Sequence, residues 1–343
     1  MHKILTSQSK RPLVWLAVIT VASVLPLAMN DPYWRYLLVL TLIFGTLAIS
    51  LDIIIGDMGQ FSFGHQALFG MSAYVTAILS VKLDMPVGPS MVFGILFSTL
   101  LGFIVALIAL KRARGLYLAI ITLGVGQVIQ VVMTSWYELS GGISGIPMVP
   151  PVSYYSSTNG WVPLYSELGS YYVALAILCL SAYVVHAWRR SRNGRAVAAI
   201  RDNEQQSSAL GINPYWHYVA AFTLASALAG VAGVIFAHFS GQVGPQSLGL
   251  YYMFWLLVMV VVGGSRSLIG PVVGAWIFVF VPEFLSFAQE WRTIIFGALL
   301  LVTILVLPKG IIPSLQDSLT SWMRSKGKDA GALTPNSLTT KTK

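Results

Sequence analysis

Gln60, Ser62, His65 and Gln66 fall close together in GDMGQFSFGHQALFGMSAY (56–74), between two runs of aliphatic side chains. An imidazole, a hydroxyl and two amides can bind a small polar solute or hand it onward. Against lipid each would be costly, so at membrane depth they must face protein or a water-lined cavity. Gly56, Gly59, Gly64 and Gly70 lie among them, and small residues of this kind let membrane helices approach closely. Two readings fit. The stretch is either tight packing with satisfied hydrogen bonds, or Gly59, Gln60, Ser62, Gly64 and His65 line a passage. A lone histidine such as His65 is more often packed than ligand-binding.

Other groups with chemistry are sparse. Asp52 sits near the inner end of an apolar run, and His238 and Glu283 lie toward the outer ends of theirs. Proton-coupled carriers need relays of such groups inside the bundle, and none is evident. Energy for uphill transport therefore has to come from outside the chain. Leu139-Ser140-Gly141-Gly142-Ile143 resembles the signature peptide of ATP-binding cassettes, but no G-x-x-x-x-G-K-[ST] phosphate loop accompanies it. Neither H-E-x-x-H nor G-x-S-x-G occurs. Cys179 is the single cysteine, which excludes an internal disulfide and a cysteine-based metal site. The residues thus offer no catalytic constellation and no cofactor site in this chain.

The elements that must position these groups are membrane helices. Of 343 residues, 56% are hydrophobic and 10% charged, and the mean hydropathy is +0.75. That charge cannot cover a water-facing surface, for which about 25% is usual. The apolar runs are long rather than ten-residue alternations, so the fold class is all-α integral membrane. Ten spans are expected, near 13–29, 36–55, 61–80, 89–110, 115–133, 170–188, 218–239, 249–264, 272–288 and 293–308. The third, which holds the polar stretch, is the weakest.

Charge sets the orientation. With both termini cytoplasmic, 18 of the 21 Lys and Arg fall inside, and only Arg35, Lys82 and Arg292 outside, as the positive-inside rule requires. The net charge of +9 is thereby explained by topology, not by nucleic acid. The chain divides into a cytoplasmic N-terminus (1–12), a transmembrane domain (13–313) and a disordered cytoplasmic tail (314–343) rich in Ser, Thr, Lys and Gly. Within the domain lie an external loop (134–169) and a charged cytoplasmic loop (189–217). A cleaved signal peptide competes for the first run, but no A-x-A-like site follows Leu27.

Gly59-Gln60 recurs as Gly241-Gln242, and Gly88-Pro89 as Gly270-Pro271; both pairs, like Gly115 and Gly297, are 182 residues apart. Five spans separate the copies, so two inverted five-helix repeats are expected, an arrangement that puts transport paths at the repeat interface. The loop RRSRNGRAVAAIRDNEQQSSALGINPYWH (189–217) should hold one helix over 195–210, with Gly211 at its end and Pro214 as a stop. From its residues alone, the loop is either a topology anchor or a docking element for a cytoplasmic motor.

Seven motifs in order make the chain resemble the permease subunits of branched-chain amino acid ABC importers. They are GDMGQFSFGHQALFGMSAY (56–74), RGLYLAIITLG (114–124), GISGIP (142–147), GRAVAAIRDNEQQSSALGIN (194–213), AGVAGVIFA (229–237), GGSRSLIGPVVGA (263–275) and FGALLLVTILVLPKG (296–310). The resemblance implies a bacterial inner-membrane protein, embedded in lipid, that forms a heterodimer with a second related permease. Two cytoplasmic ATPase subunits would carry ATP and Mg, and an extracytoplasmic solute-binding protein would deliver the substrate. It implies ATPase docking by Arg201, Asp202, Asn203, Glu204, Ala209 and Gly211, and it matches Gly59, Gln60, Ser62, Gly64 and His65 to the family's G-Q-x-S-x-G-H motif.

The sequence departs from the family pattern at Asp57, where an aromatic residue is usual, at Met71-Ser72 in place of Ile-Gly, and at Arg266, where glycine is frequent. The GISGIP loop is shorter than in many relatives. The expected substrates are Leu, Ile and Val. Urea or a short amide is the alternative, since urea importers use a similar permease. A stand-alone channel or facilitator would account for the missing relay but not for the charged loop.

Overall fold

A computed structural model describes residues 31–156, 160–164 and 166–284, with 20, 22–27 and 29 before them and 295, 297–298, 301, 305 and 310–314 after. The expected first and tenth spans and both chain ends lie largely or wholly outside the described residues.

Helix α1 (Pro32–Asp52) opens on proline, with the Asp31 carboxylate accepting from Tyr33 N at 2.9 Å, and runs into a π turn at Ile53–Asp57. Proline suits a first helical position and Asp a cap. An irregular segment follows, with Gly59 in the left-handed region (φ +65°) and the N–H groups of Met58 and Gln60 donating back to Ile53 and Ile54. Helix α2 (His65–Ala77) therefore starts four residues later than the 61–80 span expected, and it ends in a second π turn at Ile78–Lys82. Helices α3 (Val87–Ala109) and α4 (Leu116–Ser135) follow, then the single turn α5 (Tyr137–Ser140). Short strands β1 (Ile146–Pro147), β2 (Ser153–Ser156) and β3 (Gly160–Pro163) come next, β2 and β3 pairing antiparallel.

Helix α6 (Glu167–Arg190) leads to α7 (Arg192–Asp202), α8 (Glu204–Ala209) and α9 (Pro214–Ser240). Strand β4 (Gln242–Val243) pairs antiparallel with β1, and α10 (Leu250–Gly263) and α11 (Gly270–Phe284) follow. Among the described residues, α1 with its π turn, α3, α4, α6 and α9 are long and apolar enough to cross a membrane; α10 and α11 are apolar but shorter.

The centre of the bundle is α9, packed against α1, α2 and α3. On α3 the residues Ser90, Gly94, Ser98, Gly102 and Ala106 recur every fourth position and are buried, the spacing that stacks one helix face. A Cβ on Gly102 would lie 1.9 Å from Ser226 Oγ, and one on Gly230 would lie 2.9 Å from Ser98 Cβ. Ser98 Oγ sits 3.0 Å from both the Leu68 and the Ser226 carbonyl oxygen. Small residues and interhelical hydroxyl bonds are the usual means of packing helices within lipid.

Helices α1 and α9 run antiparallel. Tyr36, at the start of α1, stacks on Phe239 at the end of α9, with centroids 5.1 Å apart. Tyr218, at the start of α9, donates from Oη to Met58 O at 3.2 Å. The two helices also begin alike, Asp31-Pro32-Tyr33-Trp34 against Asn213-Pro214-Tyr215-Trp216, once more 182 residues apart. Asn213 caps as Asp31 does, accepting from Tyr215 N at 3.1 Å.

Candidate functional site

The end of the bundle that carries the 189–217 loop (the basic end) gathers most of the polar residues of interest. Its centre is the π turn Ile53–Asp57. Insertions of this type in a helix are frequent at functional positions. Asp52 precedes the turn and Asp57 closes it. Between them reaches Arg189, from the last turn of α6. Its Nη2 lies 2.7 Å from Asp52 Oδ2, and its Nε lies 3.0 Å from both Asp57 oxygens. Asp52 is 1% exposed, so this is a buried carboxylate held by a partner, as such groups must be. Its other oxygen accepts from Arg266 N at 3.0 Å, which brings in the connection between α10 and α11. Arg266 adopts φ +65°; the left-handed backbone is the physical reason glycine suits that position.

The polar segment 59–66 is distributed among several neighbours. Gln60 Oε1 accepts from Gly115 N at 2.5 Å, fixing the segment to the start of α4. Ser62 Oγ is buried without a protein partner, beside a cavity with room for about one water, bordered by Leu68, Thr122 and Phe222. Gly64 has no room for a side chain, because a Cβ would lie 2.2 Å from Thr122 O.

His65 is fully buried at the first position of α2 and faces α1. Ser50 Oγ donates its proton to Leu47 O at 2.6 Å and so accepts from His65 Nε2 at 2.8 Å. This assignment puts the ring proton on Nε2 and leaves the Nδ1 lone pair without a protein partner. Gln66 is buried too; its Nε2 donates to Leu248 O at 3.5 Å, while Oε1 has no protein partner.

The 189–217 loop holds two helices rather than one. Asn203 is extended (φ −158°) and its side chain accepts from Gln206 N at 2.9 Å, capping α8 and ending α7. Asparagine competes for backbone N–H groups in this way, so it interrupts a helical run. Gly211 does take the left-handed conformation expected of a helix end (φ +82°), but Pro214 opens α9 instead of merely stopping α8.

The six docking candidates divide. Asp202, Asn203, Glu204, Ala209 and Gly211 are exposed. Arg201 turns inward, donating to Gly56 O and lying against Gly59, where a Cβ would sit 2.9 Å from its Cγ. Glu204 forms an ion pair with Arg114 at 3.6 Å, and the Arg114 guanidinium lies over the Tyr218 ring, 5.3 Å from its centroid. The structure thus joins two groups that the sequence left separate. Arg201 touches both the π turn and Gly59, so the loop and the polar segment are neighbours.

Sequence reasoning missed Arg189 and Leu210. Arg189 lies 137 residues from Asp52, and only the departures at Asp57 and Arg266 hinted at an unusual charge partner. Leu210 is 82% exposed at the tip of the loop, and its exposure could not be read from ALGIN alone.

The chain matches the family described as branched-chain amino acid transport system / permease component over residues 33–304. It belongs to that family. The high-affinity branched-chain amino acid transport system permease protein LivM of Escherichia coli is 28% identical over 298 residues, covering 82% of this chain and 70% of the relative. LivH of the same organism is 26% identical over 295 residues, covering 78% and 91%. A probable branched-chain amino acid transport permease protein LivM of Methanocaldococcus jannaschii is 24% identical over 280 residues, covering 75% and 78%. No solved structure matches the chain. With these relatives and its long apolar helices, the protein is a multi-pass membrane transport permease.

Proposed function

We propose that the protein is the transmembrane permease subunit of an ATP-driven importer and forms half of the passage for Leu, Ile and Val. A second, related permease supplies the other half. Two ATPase subunits bind at the basic end, hydrolyse ATP with Mg and so power the chain, while a solute-binding protein delivers substrate at the opposite end. The observation that carries this reading is the construction of the loop. The exposed tip (202–204 and 209–211) is mounted on α7, whose inner side holds Arg201 against Gly56 and Gly59. A partner pressing on the tip therefore acts directly on the polar segment.

In this reading ten spans cross the bacterial inner membrane, with both termini cytoplasmic and two inverted repeats of five. The antiparallel α1 and α9, their shared opening residues and the common 182-residue offset support the repeats. Repeat interfaces are where transporters bind substrate, and the segment 59–66 lies beside one.

The test is purification of the tagged chain from its native host in mild detergent. Two ATPases and a second permease should accompany it, and the associated binding protein should take leucine rather than urea. Recovery of the folded chain alone would favour a channel or facilitator. Glu204→Lys should release the ATPases while the chain still inserts. Gln60→Leu and His65→Leu should each lower leucine uptake at unchanged protein level. Normal uptake in both would reduce the polar stretch to packing.

A further inference from the structure

We propose that Arg189, Asp52 and Asp57 form a transmission joint that carries movement of the docking loop into α1, and that they are positioning residues for transport. The proposal rests on the importer reading above. It starts from the stiffness of the corner between α6 and α7. Ser191 caps α7 by accepting from Gly194 N at 3.1 Å, and its own N–H donates to Trp188 O at 2.9 Å. Gly194 is packed so closely that a Cβ would lie 2.1 Å from Trp188 O. Arg189 stands two residues before this cap, so its backbone must follow α7.

The end of α6 and helix α7, joined by this corner, together hold the π turn. Just before α7 starts, in the last turn of α6, Arg189 binds the carboxylates that bracket the turn, Asp52 and Asp57. At the end of α7, Arg201 donates to Gly56 O inside the turn. Gly56 itself lies against Asp52, with a Cβ position 2.4 Å from Oδ1. The turn thus has little freedom to relax independently of α7. A π turn closes i→i+5 hydrogen bonds in place of the i→i+4 bonds of an α-helix, so it is where the chain leaving α1 departs from regular helix. Directly after it comes the segment 59–66. Asp52 also accepts from Arg266 N, so the same displacement reaches the loop between α10 and α11. A planar guanidinium whose Nε–H is shared between the oxygens of Asp57 while Nη2 reaches Asp52 fixes direction as well as distance; a lysine would give charge without that geometry.

The experiment uses the whole importer complex in liposomes, with leucine-loaded binding protein, and reports leucine transported per ATP hydrolysed by assembled complex. The wild type must first show ATP-dependent uptake; its failure would sink the importer reading, whatever the joint does. Arg189→Lys and Asp57→Asn are then compared with it. In the assembled fraction, both should keep ATP hydrolysis within about two-fold of wild type while transport per ATP falls by about ten-fold or more, a loss of about 1.4 kcal/mol of coupling. Because the readout is a ratio within assembled complex, a variant that assembles poorly still gives an answer. If transport and hydrolysis fall together and the ratio stays at the wild-type value in both variants, the joint is structural only and the proposal is overturned.

Discussion

The segments that follow α1 and α9 share a backbone turn and differ in what is docked on it. Gly59-Gln60 and Gly241-Gln242 stand 182 residues apart, and both glycines are left-handed, with φ +65° and +69°. After Gly59 the chain meets charge and tight packing: Arg201 beside the glycine, Gln60 bound to the start of α4, and Gly64 against the Thr122 carbonyl. After Gly241 nothing crowds the glycine. Gln242 and Val243 pair as β4 with β1, and Gln246, the counterpart of Gly64, is exposed. The turn comes from glycine, which adopts this conformation without strain. The chemistry comes from the loops that reach each turn from elsewhere in the chain.

One single variant and two matched pairs would break or sharpen that contrast. The largest effect should come from the ion pairs that only the first segment possesses. Arg189→Met leaves the buried Asp52 without its cation, a loss of about 3–5 kcal/mol, and thermal unfolding in detergent should register it as a clear drop in Tm. An unchanged Tm would mean that the two carboxylates find other partners. Next comes Gly64→Ala, where backbone stands in the way and overpacking costs about 1–3 kcal/mol. Its counterpart Gln246→Ala should stay within about 0.5 kcal/mol, as exposed substitutions do. Equal shifts would end the idea that the two segments are packed differently. Smallest should be the difference between Gly59→Ala and Gly241→Ala. Each forces alanine into the left-handed region at about 1–2 kcal/mol, and Gly59→Ala should cost slightly more, because only there does a side chain stand against the new Cβ. Leucine uptake should fall only for Gly59→Ala, which also displaces Arg201. Equal uptake in the two would separate the Arg201 contact from function.

Much of this was legible in the sequence. Eight of the expected spans coincide with described helices in their central residues, because hydrophobic length and the absence of charge mark them. The 182-residue offset was visible in two glycine dipeptides. The longer match, Asp31-Pro32-Tyr33-Trp34 against Asn213-Pro214-Tyr215-Trp216, carries the same offset and went unread, because it lies at helix caps where hydropathy changes sign. The split of the charged loop at Asn203 was hidden by strong helix formers on both sides. Arg189 was invisible as a site residue, since pattern reading treats a basic residue after a span as an orientation signal. Its partners Asp52 and Asp57 come from a different helix, and spacing along the chain says nothing about that meeting.

The contact between Gln66 and Leu248 has a consequence of its own. The two are 182 residues apart, and Gln66 Nε2 reaches Leu248 O at 3.5 Å. On the inverted-repeat reading proposed above, a residue that touches its own counterpart must lie on the symmetry axis. Points on an axis stay where they are when the halves tilt in opposite senses, while everything distant from it swings. On that reading, the buried amide of Gln66 is a fulcrum: the place that would move least if the two ends of the bundle exchanged access to the solute.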